Sequence, residues 1–297
     1  MFTNIVVGVD GRQGGRDAVA LAKRLLAPDG TITLTHVYPG DLSRFRGSSL
    51  DFDGTERQES LELLQEARDD AAVAAKLQYL GAPSPGQGLH VAAEAAGADL
   101  LVVGSTRRGL VGRVLLGDDT RAALNGAPCA IAISPAGYAE EPGLMREIGV
   151  GYDGSPESEH ALREARDLAA QYEARLSAFE VVSMPSYYFA GRTPAVDESI
   201  EDMVKEARER ISALGSVEPH AVYGRPAEEL AIYSASLDLL IVGSRDYGPL
   251  GRVVHGSTSH QLARLARCPL LVLTRAARAA ERKEPAQSNE PSIPLPA

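Results

Sequence analysis

The sequence predicts an α/β fold of two tandem doubly wound, mainly parallel five-stranded sheets flanked by helices, and three observations carry that prediction. Short apolar runs alternate along the chain with segments of helical periodicity, the order of elements that builds parallel sheets covered by helices. The runs are continuous rather than alternating, so their strands are buried on both faces. The whole pattern is also written twice: Asp99-Leu-Leu-Val-Val-Gly-Ser105 returns as Asp238-Leu-Leu-Ile-Val-Gly-Ser244, and Gly109, Gly112, Arg113, Val114, Gly117 and Cys129 return at the same offset of 139 as Gly248, Gly251, Arg252, Val253, Gly256 and Cys268. Upstream, Val7-Gly8-Val9-Asp10-Gly11 pairs with Val150-Gly151-Tyr152-Asp153-Gly154 at an offset of 143.

In the first copy, residues 4–9, 31–37, 100–103 and 130–133 read as strands; in the second, 148–152, 175–182, 239–242 and 270–273 answer them. A third strand is weaker in both, near 76–80 and 217–223. Ile200, Met203, Val204, Ala207, Ile211 and Leu214 recur at helical spacing. Thr55 with Gln58 has the form of a capping box opening the matching helix of copy one. Ser155-Pro156-Glu157 supplies a cap, a proline at the first helical position and an early acid. The repeat places one domain at 1–140 and a second at 146–276. Residues 135–143, with Pro, Gly and acidic side chains, read as the linker, and 277–297 read as a disordered tail.

Composition excludes several functions. Thirty basic against forty acidic side chains give a charge of −10, opposite to the footprint of a phosphate-backbone binder, so no nucleic-acid partner is expected. No run approaches the roughly 18 apolar residues of a membrane span, and the first residues lack a signal peptide's basic and apolar regions; a cytoplasmic protein without a membrane partner is expected. Two cysteines are too few for a disulfide framework or a thiolate metal site. The six histidines fall in no ligand spacing, so no metal centre is expected. No G-x-S-x-G elbow and no G-x-G-x-x-G after a strand occur, which removes the common esterase and dehydrogenase readings.

Ligands of doubly wound sheets sit beyond the carboxyl ends of the strands, where strand order reverses. There the first strand of each copy is followed by an acid, Asp10 or Asp153, although an Asp at a strand end is also an ordinary turn former. After the fourth strand, copy two runs from Gly243 and Ser244 through a Gly-rich loop to Gly256-Ser257-Thr258. That triplet reads as a helix N-terminus, whose unpaired N–H groups, hydroxyls and dipole suit a phosphate. Copy one keeps the frame from Gly104 to Gly117 but places Asp118 where a phosphate would dock. Two unit charges 4 Å apart repel by about 4 kcal/mol at an effective dielectric of 20, so the first site is expected to be weak or closed.

These residues resemble the universal stress protein family in its tandem form, a nucleotide-alpha-hydrolase-like, Rossmann-like fold, over nearly everything from 4 to 274. Family members that bind ATP carry an Asp after strand one and a loop G-x-x-G, nine residues, then G-[ST]. The resemblance implies adenine contacts at Asp10 and Asp153, with Val103 and Val242 before the first loop glycine. The loop pattern falls on Gly104, Arg107, Gly117 and Asp118 in copy one, and on Gly243, Asp246, Gly256 and Ser257 in copy two. The second glycine is thus Arg107 or Asp246, and Asp246 would either repel phosphate or accept a Mg²⁺ brought by it. The resemblance also implies that the last strands pair between the two domains, with Cys129 and Cys268 as equivalent buried residues leading into them; a further pairing of two chains stays open.

The leading expectation is a regulatory protein of the stress response that binds an adenine nucleotide, ATP with Mg²⁺, mainly in domain two, and orders loops for a protein partner, with little turnover. The alternatives are a scaffold that binds no nucleotide, and a slow ATPase or self-phosphorylating protein using Ser244, Ser257 or Thr258. Tyr187-Tyr188-Phe189, after the second strand of copy two, would shield a nucleotide, bind a partner or pack on its own domain.

Overall fold

Strand β1 (Phe2–Gly8) buries Ile5, Val6 and Val7 completely, and successive strand side chains point to opposite faces, so such a run needs a helical layer on each side. The computed structural model describes residues 1–39, 50–105, 123–124, 126–183, 194–244 and 258–273, with backbone alone at 50–54 and 194–196. After β1 come α1 (Gln13–Leu25), β2 (Leu26–Pro39), α2 (Leu50–Asp70), β3 (Ala75–Ala82), α3 (Pro85–Ala96), β4 (Leu100–Gly104) and β5 (Ala130–Ser134). The second half repeats the order with β6 (Glu147–Gly151), α4 (Pro156–Tyr172), β7 (Arg175–Val182), α5 (Pro194–Ser212), β8 (Glu218–Tyr223), α6 (Pro226–Tyr233), β9 (Leu239–Gly243), α7 (Thr258–Leu265) and β10 (Leu270–Leu273).

The ten strands of the described residues lie in one sheet, ordered β3-β2-β1-β4-β5-β10-β9-β6-β7-β8. Within each half every pairing is parallel, and the halves meet where β10 runs antiparallel to β5, Leu271 opposite Ala132. The two expected sheets are therefore continuous. Alternation sorts the core: Ile5, Val7, Leu100 and Val102 pack with Leu21 of α1, Leu64 of α2, Leu168 of α4 and Ile211 of α5 on one face. Val6, Leu101, Val103, Leu240 and Val242 pack with Leu89 of α3, Leu230 of α6 and Leu262 of α7 on the other. Each fully buried Leu or Val contributes about 1.5–3 kcal/mol.

The sequence expectations meet this fold with two corrections. β2 begins at Leu26, five residues before the expected strand, because Leu26 pairs with Phe2 and the register then shifts to Asn4 opposite Thr31; the intervening Pro28-Asp29-Gly30 has the look of a turn. α2 begins at Leu50, so Thr55 lies inside the helix and the capping box does not open it. Gln58 reaches forward one turn instead, its Nε2 donating to Glu62 Oε1 at 2.7 Å. The start of α4 is as expected: Ser155 Oγ accepts from Ser158 N at 3.2 Å, and Pro156 opens the helix.

Between the halves, the carboxylate of fully buried Asp17 on α1 accepts N–H bonds from Gly137 and Ala139, both 2.9 Å, and one from Gln13 Nε2 at 3.1 Å. Gly137 sits at φ 87°, a left-handed conformation that favours glycine, and Tyr138 is buried between its two anchored neighbours. Cys129 and Cys268 are buried just before β5 and β10, and burial pushes each thiol up to about 12. At pH 8 the thiolate, the reactive form, is therefore a very minor species of each. Neither cysteine is expected to react with a disulfide reagent within hours in the native protein, while both react within seconds in denaturant; fast native labelling would contradict this. The tail at 277–297 and the Tyr187 to Phe189 cluster lie outside the described residues.

Candidate functional site

Strand order reverses at β1 and β4 in the first half and at β6 and β9 in the second, and the sequence-predicted acids lie there. Past β6, Tyr152 N donates to Phe179 O at 3.0 Å, continuing the ladder by one bond. Asp153 then turns the chain: its Oδ1 accepts from Ser155 N at 3.0 Å, and its own N donates to Ser158 Oγ at 3.3 Å. Copy one repeats the device, with Val9 N on Thr35 O at 2.9 Å and Arg12 N on Asp10 Oδ1 at 3.0 Å. Both acids are thus turn formers as well as candidates for ligand contact, and a carboxylate has lone pairs enough for both.

The first loop glycine has a packing reason. A Cβ on Gly243 would stand 2.5 Å from the backbone C and O of Glu157 in the first turn of α4, and one on Gly104 would overlap the backbone of Gly14 in α1. The helix that follows the first strand can approach the end of the fourth only across a residue without a side chain. Ser244 N then donates to Leu273 O at 2.9 Å and Ser244 Oγ lies 3.4 Å from Ser259 Oγ, which ties β9 to β10 and α7. Ser105 N makes the equivalent bond to Ser134 O at 2.9 Å.

In the second half these turns border an open cavity of about 400 Å³, within the range of small-ligand sites. Phe179, Val181 and Val242 supply apolar wall, Asp153 and Glu157 carboxylates, and Thr258 and Ser259 hydroxyls at the start of α7. The surroundings are acidic. Tyr152 donates its hydroxyl to Glu159 Oε1 at 2.9 Å; burial first, then that bond and the charges of Glu159, Glu180 and Asp153, push its phenol up to about 12. Glu180 itself is buried and bonded by Arg210 Nη2 at 2.6 Å. Among the described lining residues there is no lysine or arginine.

Of the candidate residues, the structure brings Asp153, Val242, Gly243 and Thr258 to this cavity, with Ser244 directly behind it. Asp10, Val103 and Gly104 occupy the equivalent ends of β1 and β4. Gly117, Asp246, Gly256 and Ser257, with Arg107 and Asp118, lie outside the described residues. Sequence reasoning missed Phe179 and Val181, which line the cavity from the C-terminal half of β7; the rule that pointed to the first and fourth strands covers any strand ending at the crevice. Among the described residues no group of three or more His, Cys, Asp or Glu side chains is placed to hold a metal ion.

Residues 1–135 and 145–274 each match the model of the universal stress protein family. The chain belongs to that family. A universal stress protein of Mycobacterium tuberculosis is 32% identical over 182 residues, 59% of this chain and 61% of that protein. Universal stress protein YxiE of Bacillus subtilis is 28% identical over 148 residues, 44% of this chain and 99% of its own. The chain thus spans about 61% of the length of the mycobacterial relative. Among solved structures, a universal stress protein from Archaeoglobus fulgidus superposes with a TM-score of 0.61 at 18% identity, covering 92% of this chain and 98% of its own. A putative one from Pseudomonas aeruginosa superposes at 0.63 with 17% identity, covering 95% and 97%. At these identities the structures speak for the fold alone. No helix among the described residues is long and apolar enough to cross a membrane.

Proposed function

We propose that this universal stress protein is a regulatory module that binds an adenine nucleotide, ATP with Mg²⁺, in the cavity of its second half and acts on a partner in the stress response without turning the nucleotide over. The observation that carries this reading is the convergence of Asp153, an apolar wall from Phe179, Val181 and Val242, and the hydroxyl-bearing start of α7 on one cavity. In this reading the adenine lies on the apolar wall with its amine toward Asp153, and the phosphates face Thr258 at the start of α7, where helix N–H groups and dipole favour anions. Asp153 and Glu157 are themselves negative, so the phosphates need a divalent cation beside them, and free ATP in EDTA is expected to bind at least tenfold more weakly than MgATP. Turnover is not proposed, because the described lining lacks a cationic clamp for a transferring phosphoryl group.

Calorimetric titration of the full chain, stripped of copurified nucleotide, tests this. One MgATP per chain is expected, with a gain of about 2.7 kcal/mol in stability at a hundred times the dissociation constant. Ser257→Asp, which puts a carboxylate one residue before Thr258 in the sequence, is expected to abolish binding. No heat together with an unmoved Tm, or unchanged affinity in Ser257→Asp, overturns the proposal; two sites per chain would overturn its assignment to the second half alone.

A further inference from the structure

Away from the nucleotide cavity, α1, α2 and the segment between the halves border a second, solvent-open cavity of about 540 Å³, with Arg16 and Lys23 exposed at its edge. Arg16, Lys23 and Arg24 of α1 line it, and Ala20, Ala71 and Pro142 give it an apolar floor. Positions 16, 20, 23 and 24 share one helix face, while Asp17 and Leu21 turn inward to the core. Lys23 Nζ donates to Ala71 O at 2.7 Å, which holds the ammonium at the wall with two further N–H groups to give. Arg16 donates from Nε and Nη2 to Gln13 Oε1 at 3.1 and 2.8 Å. Asp70 is the one carboxylate among the described lining residues, and none of the three cations is ion-paired among the described residues. Three such cations around a concavity run against the −10 charge of the chain.

The repeat supplies its own control. At the offset of 143, α4 carries Glu159, Arg163, Arg166 and Asp167 where α1 carries Arg16, Ala20, Lys23 and Arg24. That face of copy two is charge-balanced, two arginines against two carboxylates, so the fold does not need the net positive face of copy one. It is copy one, whose helix abuts the segment joining the halves, that has the charge, and a small residue in place of an arginine leaves room beneath it.

We propose that this cavity binds a small polyanion, carrying two or more phosphate or carboxylate groups with an apolar part on Ala20, Ala71 and Pro142, independently of the nucleotide site. Its position makes it a control point. Ala139 lines the cavity and donates its N–H to Asp17, the neighbour of Arg16, so an occupant bears on the segment that sets one half against the other.

The test uses the full chain titrated separately with inorganic pyrophosphate and with citrate at constant ionic strength, since exposed charges are screened by salt. Saturable binding of one anion per chain is expected, and the tighter probe tells phosphate from carboxylate recognition. Arg16→Glu with Lys23→Glu should weaken it at least tenfold, and Ala71→Trp, which fills the cavity without changing charge, should do the same if the charge-reversed chain fails to fold. Lys205→Glu with Arg208→Glu on α5, and Ser257→Asp, should leave it unchanged. Absence of saturable binding overturns the proposal. So does an equal loss in both charge-reversed pairs, which would mean a general field, or a loss in Ser257→Asp, which would move the anion to the nucleotide cavity.

Discussion

Gly104→Ala is expected to destabilise the protein by about 3 kcal/mol or more, at or above the top of the usual range for overpacking. The added methyl would overlap the O, C and Cα of Gly14, and these are backbone atoms that cannot rotate aside. Relief requires α1 to lift from the end of β4, which withdraws Ala18, Leu21 and Leu25, all fully buried, from the core. Gly243→Ala meets Glu157 backbone in the same way and should cost nearly as much. Gly97→Ala is the control: its backbone is left-handed at φ 59° with nothing within 4 Å of the new carbon, so it carries a conformational cost of about 1 kcal/mol alone. Urea midpoints at equal slope decide the matter, and a Gly104→Ala chain no less stable than Gly97→Ala would refute the packing argument.

That glycine shows how the sequence was legible and where it misled. The repeated motif around Gly104 and Gly243 was visible as a pattern, and its end at the crevice followed from the rule for doubly wound sheets. Its reason was not visible, because the atoms that exclude a side chain belong to a helix about ninety residues upstream. The Asp that opens the same motif works at the other end of the strand: Asp99 accepts from Thr3 N and Asn4 N at 2.7 and 3.0 Å, and Asp238 from Arg146 N and Glu147 N at 2.7 and 3.2 Å. One motif therefore serves two ends of the sheet. Strands buried on both faces were easy to find because both faces demand apolar residues. The start of β2 was hidden because an irregular register admits Pro28 and Gly30.

For the candidate site, Asp153, Val242, Gly243 and Thr258 converge on one cavity, and they were legible because each lies next to a strand end or a helix start. Phe179 and Val181 were not, since a residue in the C-terminal half of β7 looks from sequence like any other core position. Its place at the crevice depends on β6 lying between β7 and β9, which is a fact of topology rather than of local pattern.

Asp17→Ala is expected to cost about 3–5 kcal/mol and to free the segment between the halves. A hydrogen bond to a charged group contributes about 1.5–3 kcal/mol, and the buried carboxylate of Asp17 accepts two from Gly137 and Ala139. Alanine removes both acceptors and leaves two N–H groups to find water at a half-buried site. Asn keeps a carbonyl oxygen in place of one carboxylate oxygen and should lose about half as much. The second copy argues that this role is specific: at the equivalent position stands His160, buried and 3.1 Å from Arg163 Nη2 through its Nδ1, so the fold accepts another polar group there. A buried acid appears in the copy whose helix faces the connecting segment, and that is where a carboxylate has two backbone donors to satisfy. Denaturant unfolding measures the cost, and limited proteolysis at 135–143 under native conditions reads the release. An Asp17→Ala protein of unchanged stability with that segment still resistant would show that the buried Tyr138 side chain holds it without help from the carboxylate.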